Sequence, residues 1–250
     1  MSTTKNNPAI VGTSRLARDW LALSQEKGFD ADLVSDPARI ASTAALVLDT
    51  STGDEIIKRN TLEKLDSMLP AAAVIVTSCL GCSTTLMASW TKRPERVVGF
   101  ATFYPLKDRK VIEIAAGLKT SGAAMQHAQK YFKSLGKETI KVKDAAGLTF
   151  PRILSLIINE AARSLEEGVA NAEEIDIAMR LGVNYPIGPL RWADRIGLDE
   201  VLAVLEGLER ETGDDRYRPA PLLKKLVVAG FRGETSGRGF YFYNEDQVKS

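Results

Sequence analysis

PAIVGTSRLARDWLALSQEKGFDADLVSD, residues 8–36, decides the fold. It opens with a short apolar run over 8–13 and turns through Gly12 and Ser14. A helical pattern follows over 15–27, with Leu16, Trp20 and Leu23 spaced four and three apart. A second extended run then covers 30–36. Strand, helix and strand in this order imply a right-handed crossover between parallel neighbours.

The same alternation continues to about residue 145. Strands are predicted over 45–50, 72–78, 96–103, 110–116 and 139–144. Helices are predicted over 54–69, with Ile57, Leu62, Leu65 and Leu69 on its core face, and over 84–90 and 122–135. The expectation is an α/β, Rossmann-like, doubly wound domain over 1–145. From Gly147 the pattern is all helix. PRILSLIINEAARSLEEGVA (151–170) sets Leu154, Ile158, Ala161, Ala162 and Leu165 on one face, with Pro151 in the first turn. Asn171 and Glu174 form a capping-box pattern before Ile175, Ala178 and Met179, which are expected to pack inward. Further helices are expected from the turn at 185–197, over 198–211 and over 221–229. An all-α domain over 146–250 completes the chain, with the division in the stretch KDAAG.

Composition narrows the function. Of 250 residues, 44% are hydrophobic and 26% charged, as in ordinary globular proteins. A formal net charge of +1 gives no bulk attraction to nucleic acid or an anionic membrane. No apolar run reaches the ~20 residues of a membrane helix. MSTTKNNPAIVG (1–12) lacks a basic region followed by a long apolar core, so no secretory signal is expected. Two cysteines argue against a disulfide scaffold and for a reducing cytoplasm.

GFATFYPLKDRKVIEIAAG (99–117) reads as strand, polar turn and strand, with Glu113 between Ile112 and Ile114. A carboxylate there faces solvent or is held for chemistry. The chain's one histidine, His127, lies elsewhere, in a stretch read as a partly exposed helix face.

The helical half carries the strongest likeness. NEAARSLEEGVANAEEIDIAMRLGVNYPIGPLRWADRIGLDEVL and SGRGFYFY resemble the C-terminal domain of 3-hydroxyacyl-CoA dehydrogenases. AMRLGVNYPIGPLRW and GDDRYRPAPLL bring the likeness nearest to the C-terminal half of long bacterial 3-hydroxyadipyl-CoA and 3-hydroxybutyryl-CoA dehydrogenases. The first half resembles the same family's NAD-binding domain in layout, with degenerate motifs. The resemblance implies a homodimer formed through the helical domain, NAD on the Rossmann domain and an acyl-CoA substrate. It also implies a histidine oriented by a glutamate, with a serine and an asparagine completing the site.

Carried over by position, the resemblance assigns Gly12 to the first glycine of the cofactor loop, Ser14 to the second and Ala17 to the third. Ser14 brings a Cβ where pyrophosphate approaches backbone most closely, and Arg15 adds compensating charge and bulk. The ribose-binding acid falls on Ser35 by register, with Asp36 next to it as the candidate. Asp36 precedes Pro37 and also reads as a helix cap. The family pattern Gly-x-His-Phe-Phe-Asn-Pro runs from Gly99 to Pro105, placing Ala101 at the histidine, Tyr104 at the asparagine and Glu113 on the glutamate. The serine position falls on Leu80 or Gly81, with Ser78 and Ser83 nearby. Pro151 replaces a further asparagine and is followed by a retained Arg152.

Lys107, Arg109 and Lys110 form a basic turn, with Lys107 and Arg152 as candidates for substrate phosphates. Cys79 and Cys82 form a C-x-x-C at a strand-to-helix junction, where a lowered thiol pKa would suit redox chemistry. Their blander reading is as two small buried residues, and no metal site is expected. Arg216, Tyr217, Arg218 and Arg238 read as structural or interface residues. Trp192, Phe240, Tyr241 and Phe242 read as packing anchors.

Two functions remain open. One is a family member that has lost the proton relay and acts by binding acyl-CoA or by oligomerising, with a full-length paralogue as a further partner. The other is an active NAD-dependent dehydrogenase with a rebuilt site, in which Tyr104 is the replacement acid or base and Glu113 is kept.

Overall fold

The computed structural model describes residues 8–41 and 43–244. The first seven residues of the stretch read for a leader lie outside them. The chain divides into two compact units, Met1–Phe150 and Pro151–Ser250.

The first unit is built on one seven-stranded sheet in the order β2-β1-β3-β4-β5-β6-β7. Its strands are β1 Pro8–Val11, β2 Asp32–Val34, β3 Leu46–Asp49, β4 Val74–Ser78, β5 Val97–Ala101, β6 Val111–Ala116 and β7 Glu138–Val142. Strands β1 to β5 are parallel; β6 runs antiparallel to β5, and β7 parallel to β6. The inner strands are continuous apolar runs, as burial on both faces demands. The connecting helices are α1 Arg15–Glu26, α2 Glu55–Met68, α3 Thr84–Ser89 and α4 Gly122–Ser134. Ser14, Asp54 and Ser121 cap α1, α2 and α4 through their side-chain oxygens. Trp20 of α1 is fully buried against Phe100 of β5 and Phe132 of α4, with ring centroids 6.2 and 5.4 Å away. The sheet is therefore mostly parallel and doubly wound, as the opening stretch predicts.

Helix α2 buries Leu62, Leu65 and Leu69 as predicted, and departs from its predicted face only at Ile57. Ile57 is 63% exposed, and Lys58 takes the inward position. The Lys58 ammonium lies 2.7 Å from Oδ2 of Asp49, which is fully buried at the end of β3, and donates to the Ser51 carbonyl. Asp66, two turns on, also faces inward and pairs with Arg96 at 2.8 Å. Two buried ion pairs thus share the inward face with Leu62, Leu65 and Leu69, and Lys58 displaces Ile57 from it.

The second unit contains, among the described residues, α5 Phe150–Glu166 (its first residue in the first unit), α6 Ala172–Gly182, α7 Pro189–Ile196, α8 Leu198–Thr212 and α9 Pro221–Val228. The predicted capping box of Asn171 and Glu174 is present. Ile175 is buried, but Ala178 is exposed and Asp176 takes the inward place. The Asp176 carboxylate accepts hydrogen bonds from Leu190 N, Arg191 N and the Tyr241 hydroxyl. Asp194 of α7 holds the tail similarly, accepting from Phe240 N, Tyr241 N and the Tyr243 hydroxyl. Gly239 and Gly233 are required there: a Cβ on either would lie 2.0 to 2.2 Å from Asp194 atoms. Tyr241 is a packing anchor as expected. Phe242 is not, being 74% exposed beneath the Arg238 guanidinium.

Burial pushes the Asp194 carboxyl up to about 6, against the opposing effect of its three donors. The unfolded value is about 3.9, so its contribution is complete below about pH 4 and is lost as the pH rises through about 6. Urea titrations at pH 4 to 7 are expected to show the stability advantage of the native protein over Asp194→Asn shrinking across that range.

Candidate active site

The antiparallel turn from β5 to β6 brings the two key positions together. Ala101 lies directly opposite Glu113 in the register. Between them the chain passes through Phe103, Tyr104, a cis Tyr104–Pro105 bond and a 3₁₀ turn at Leu106–Asp108. Asp19 of α1 accepts from Leu106 N at 2.8 Å. The Lys137 ammonium donates to the carbonyls of Leu106 and Arg109 at 2.8 and 2.6 Å. The turn is thus held by one charge of each sign.

Glu113 is 6% exposed. Its carboxylate accepts Thr149 N at 2.7 Å and Phe150 N at 2.8 Å. These amides open α5, where a helix has no internal acceptor for its first N–H groups. Burial raises the Glu113 pKa, and the two amides oppose the shift. Residues 143–150 form a strap with two more ties. Asp144 accepts Thr84 N and Thr85 N at 2.6 and 2.8 Å, and Gly147 N donates to the Cys79 carbonyl at 2.7 Å. Opposite this anchored carboxylate stands a methyl group.

His127 does not supply the missing imidazole. It sits half-buried on α4 beside a cavity lined by Pro8 and Leu46, which begin β1 and β3. Ala101 ends β5, at the opposite edge of the parallel strands. Burial first, and Lys130 second, lower the His127 pKa.

The loop after β1 keeps part of a phosphate-binding design. Gly12 has φ +143°, its N–H reaches the Val34 carbonyl, and a Cβ there would lie 2.2 Å from Thr50 Oγ1. Ser14 is spent on its own helix, accepting Ala17 N at 3.2 Å. The Arg15 guanidinium lies 4.2 Å over the Tyr104 ring, so two predicted site residues distant in sequence meet here. Asp36 caps the 3₁₀ turn Pro37–Arg39 through Ala38 N and lies 3.9 Å from the Lys64 ammonium. The glycine and the helix N-terminus suit a pyrophosphate. Ser14 stands at the place of the loop's second glycine, and Ser35, just beyond β2, at the place of the ribose-binding carboxylate.

Other candidates lie elsewhere. Lys107 is exposed beside Tyr104 and Asp19. Arg109 stacks on Phe150. Arg152, in the second unit, donates to the Tyr217 hydroxyl and stacks on that ring, which suits a structural role. Of the two readings of the C-x-x-C pair, the structure supports the buried one: Cys79 is fully buried and its thiol is pushed up to about 12, the reverse of an activated thiol. Cys82 is buried too. Leu80 is buried at the serine position, and Ser83 precedes α3 without a side-chain cap bond. Among the described residues, no three His, Cys, Asp or Glu side chains are grouped to hold a metal, and no helix is long and apolar enough to cross a membrane. The reading from sequence missed Asp19, Lys137 and Asp144, because isolated charges carry no periodic signal.

Comparison with known proteins covers both halves. The family model "3-hydroxyacyl-CoA dehydrogenase, NAD binding domain" matches residues 10–145, and "3-hydroxyacyl-CoA dehydrogenase, C-terminal domain" matches residues 147–243. A probable 3-hydroxybutyryl-CoA dehydrogenase of Bacillus subtilis is 37% identical over 212 residues, 85% of this chain and 74% of that protein. A 3-hydroxybutyryl-CoA dehydrogenase of Clostridioides difficile is 39% identical over 200 residues, 80% and 71% of the two chains. Among solved structures, FadB2 of M. tuberculosis superposes with TM-score 0.85 at 25% identity, covering 96% of this chain and 99% of that one. The (S)-3-hydroxybutyryl-CoA dehydrogenase PaaH1 from Ralstonia eutropha gives 0.75 at 30% identity, with the same coverage.

Removing the Glu113 carboxylate takes the acceptor from two part-buried amides, so Glu113→Ala is expected to cost about 1–3 kcal/mol. Glu113→Gln keeps one acceptor oxygen and should cost less. Thermal unfolding measures the loss. Hydrogen exchange at the Thr149 and Phe150 amides is expected to speed up most in the alanine variant.

Proposed function

The chain belongs to the 3-hydroxyacyl-CoA dehydrogenase family, and from that membership we propose a member impaired in hydride-transfer chemistry, which acts by binding acyl-CoA or by oligomerising. One observation carries this reading: Ala101, at the position of the family's histidine, faces Glu113 across the β5–β6 pair. A methyl group takes no proton, and loss of a general base costs about 10²–10⁴-fold in rate. Both Glu113 oxygens already accept backbone amides. Leu80 or Gly81, and Pro151, at the serine and asparagine positions also lack the needed side-chain groups.

Exposed apolar side chains support self-association through the helical unit. On α6, Ile177 is 51% and Leu181 79% exposed, and Val183 just beyond is 55% exposed. Ile177 and Leu181 lie four apart and so share one face of α6, and exposed apolar residues so placed favour a protein contact.

The second reading is an active NAD-dependent dehydrogenase with Tyr104 as acid or base. The names of the relatives favour it, as does the position of Tyr104 against Arg15 of the glycine loop.

Purified protein is expected not to oxidise NADH with acetoacetyl-CoA or longer 3-oxoacyl-CoA substrates. Turnover that disappears in Tyr104→Phe would establish the second reading instead. Light scattering is expected to give a dimer for the native chain and a monomer for Leu181→Asp. A monomeric native chain would remove oligomerisation from the proposal.

A further inference from the structure

The strand order reverses between β1 and β3, with β2 on the outer side of β1. Dinucleotides lie across the carboxyl ends of the strands at such a switch point. Their pyrophosphate meets the helix after β1, and their adenosine ribose meets the end of β2. A carboxylate there accepts the hydroxyls of an unphosphorylated ribose, whereas an arginine nearby accommodates a ribose phosphate.

Register fixes which residues stand at the β2 end here. Val11 pairs with Val34, and Gly12 N donates to the Val34 carbonyl, so Ser35 is the first residue beyond the strand. It is exposed and offers a hydroxyl. Arg39 ends the 3₁₀ turn that follows. Its side chain is exposed and, among the described residues, makes no hydrogen bond or ion pair. Lys64 of α2 reaches the same turn, 3.9 Å from Asp36. Arg15 and Arg18 lie in the first turn of α1, Arg15 stacked on Tyr104 and Arg18 donating to the Thr13 carbonyl. Two carboxylates oppose these cations. Asp36 is turned onto Ala38 N and faces Lys64, and Asp54 caps α2 through Ile56 N and Ile57 N.

This set does not fit NAD well, whose adenosine ribose is met by a carboxylate at the end of β2, where residue 35 is a serine and the neighbouring Asp36 is turned onto Ala38 N. We infer that the crevice takes an adenosine diphosphate whose ribose is itself phosphorylated, with Ser35 and Arg39 meeting the ribose phosphate and the amides of the α1 N-terminus meeting the pyrophosphate. Two sources share this chemistry: a 2′-phosphorylated nicotinamide dinucleotide, and the 3′-phosphorylated nucleotide end of coenzyme A. The inference rests on family membership and the strand order, and holds whether or not hydride transfer survives.

Calorimetric titration of the full chain with 5′-AMP, its 2′-phosphorylated form, its 3′-phosphorylated form and NADH tests it. One of the two phosphorylated forms is expected to bind about tenfold or more tightly than 5′-AMP, the value of one charge-assisted contact. Arg39→Ala should abolish that advantage while leaving 5′-AMP affinity and melting temperature unchanged. Preference for the 2′ form identifies the dinucleotide source, and preference for the 3′ form identifies coenzyme A; both support the inference. It is overturned if NADH binds as tightly as either phosphorylated form, if none of the four binds, or if the advantage survives Arg39→Ala. Turnover plays no part in the readout, so failure here leaves the proposed loss of chemistry standing.

Discussion

A carboxylate cannot be buried without donors, and the partners of Glu113 organise much of the first unit. Its two oxygens take the first amides of α5. That bond fixes one end of the strap, whose other ties go to α3 and to the loop after β4. The strap crosses from β7 back to β6 and reaches β4 on the way, so one side chain helps hold separated strands in register. Desolvation penalises the charge and the amides restore it, which is the balance expected where a carboxylate serves backbone.

Much of this was legible in the sequence. The strand and helix alternation and the capping box at Asn171 follow local rules, and local rules decided them. The pairing of Ala101 with Glu113 was also within reach, because a short polar turn between two strands leaves few registers. The errors lie where a charge overrode an apolar pattern. Ile57 gave up the core to Lys58 because Asp49 waits at the end of β3. Ala178 gave up the interior to Asp176 because the N-terminal amides of α7 and Tyr241 need an acceptor. Periodicity counts apolar residues and is blind to a partner 15 or 65 positions away. For the cysteines the structure supports the buried reading over the redox one. A helix N-terminus lowers a thiol pKa only where the thiol is not sealed from water, and Cys79 is fully buried.

The two halves of the chain support function in different ways. The fold, the strand order and the positive-φ Gly12 preserve a scaffold that suits an anionic nucleotide. At the positions where the family likeness puts the histidine and an asparagine of a proton relay, the chain carries Ala101 and Pro151. Scaffold and chemistry are separable because they rest on different atoms: backbone amides and strand ends for the one, a few side chains for the other.

That separation bears on how such chains evolve. Once Glu113 bonds the opening amides of α5, selection for folding alone preserves it, with or without an imidazole to orient. Its presence across a set of homologous sequences would then trace architecture and not activity. Residue 101 anchors no backbone amide through its side chain, so only the packing of a buried strand position constrains it when the reaction is no longer selected. Sorting working enzymes from their silent descendants is therefore better done at residue 101 than at the glutamate it faces.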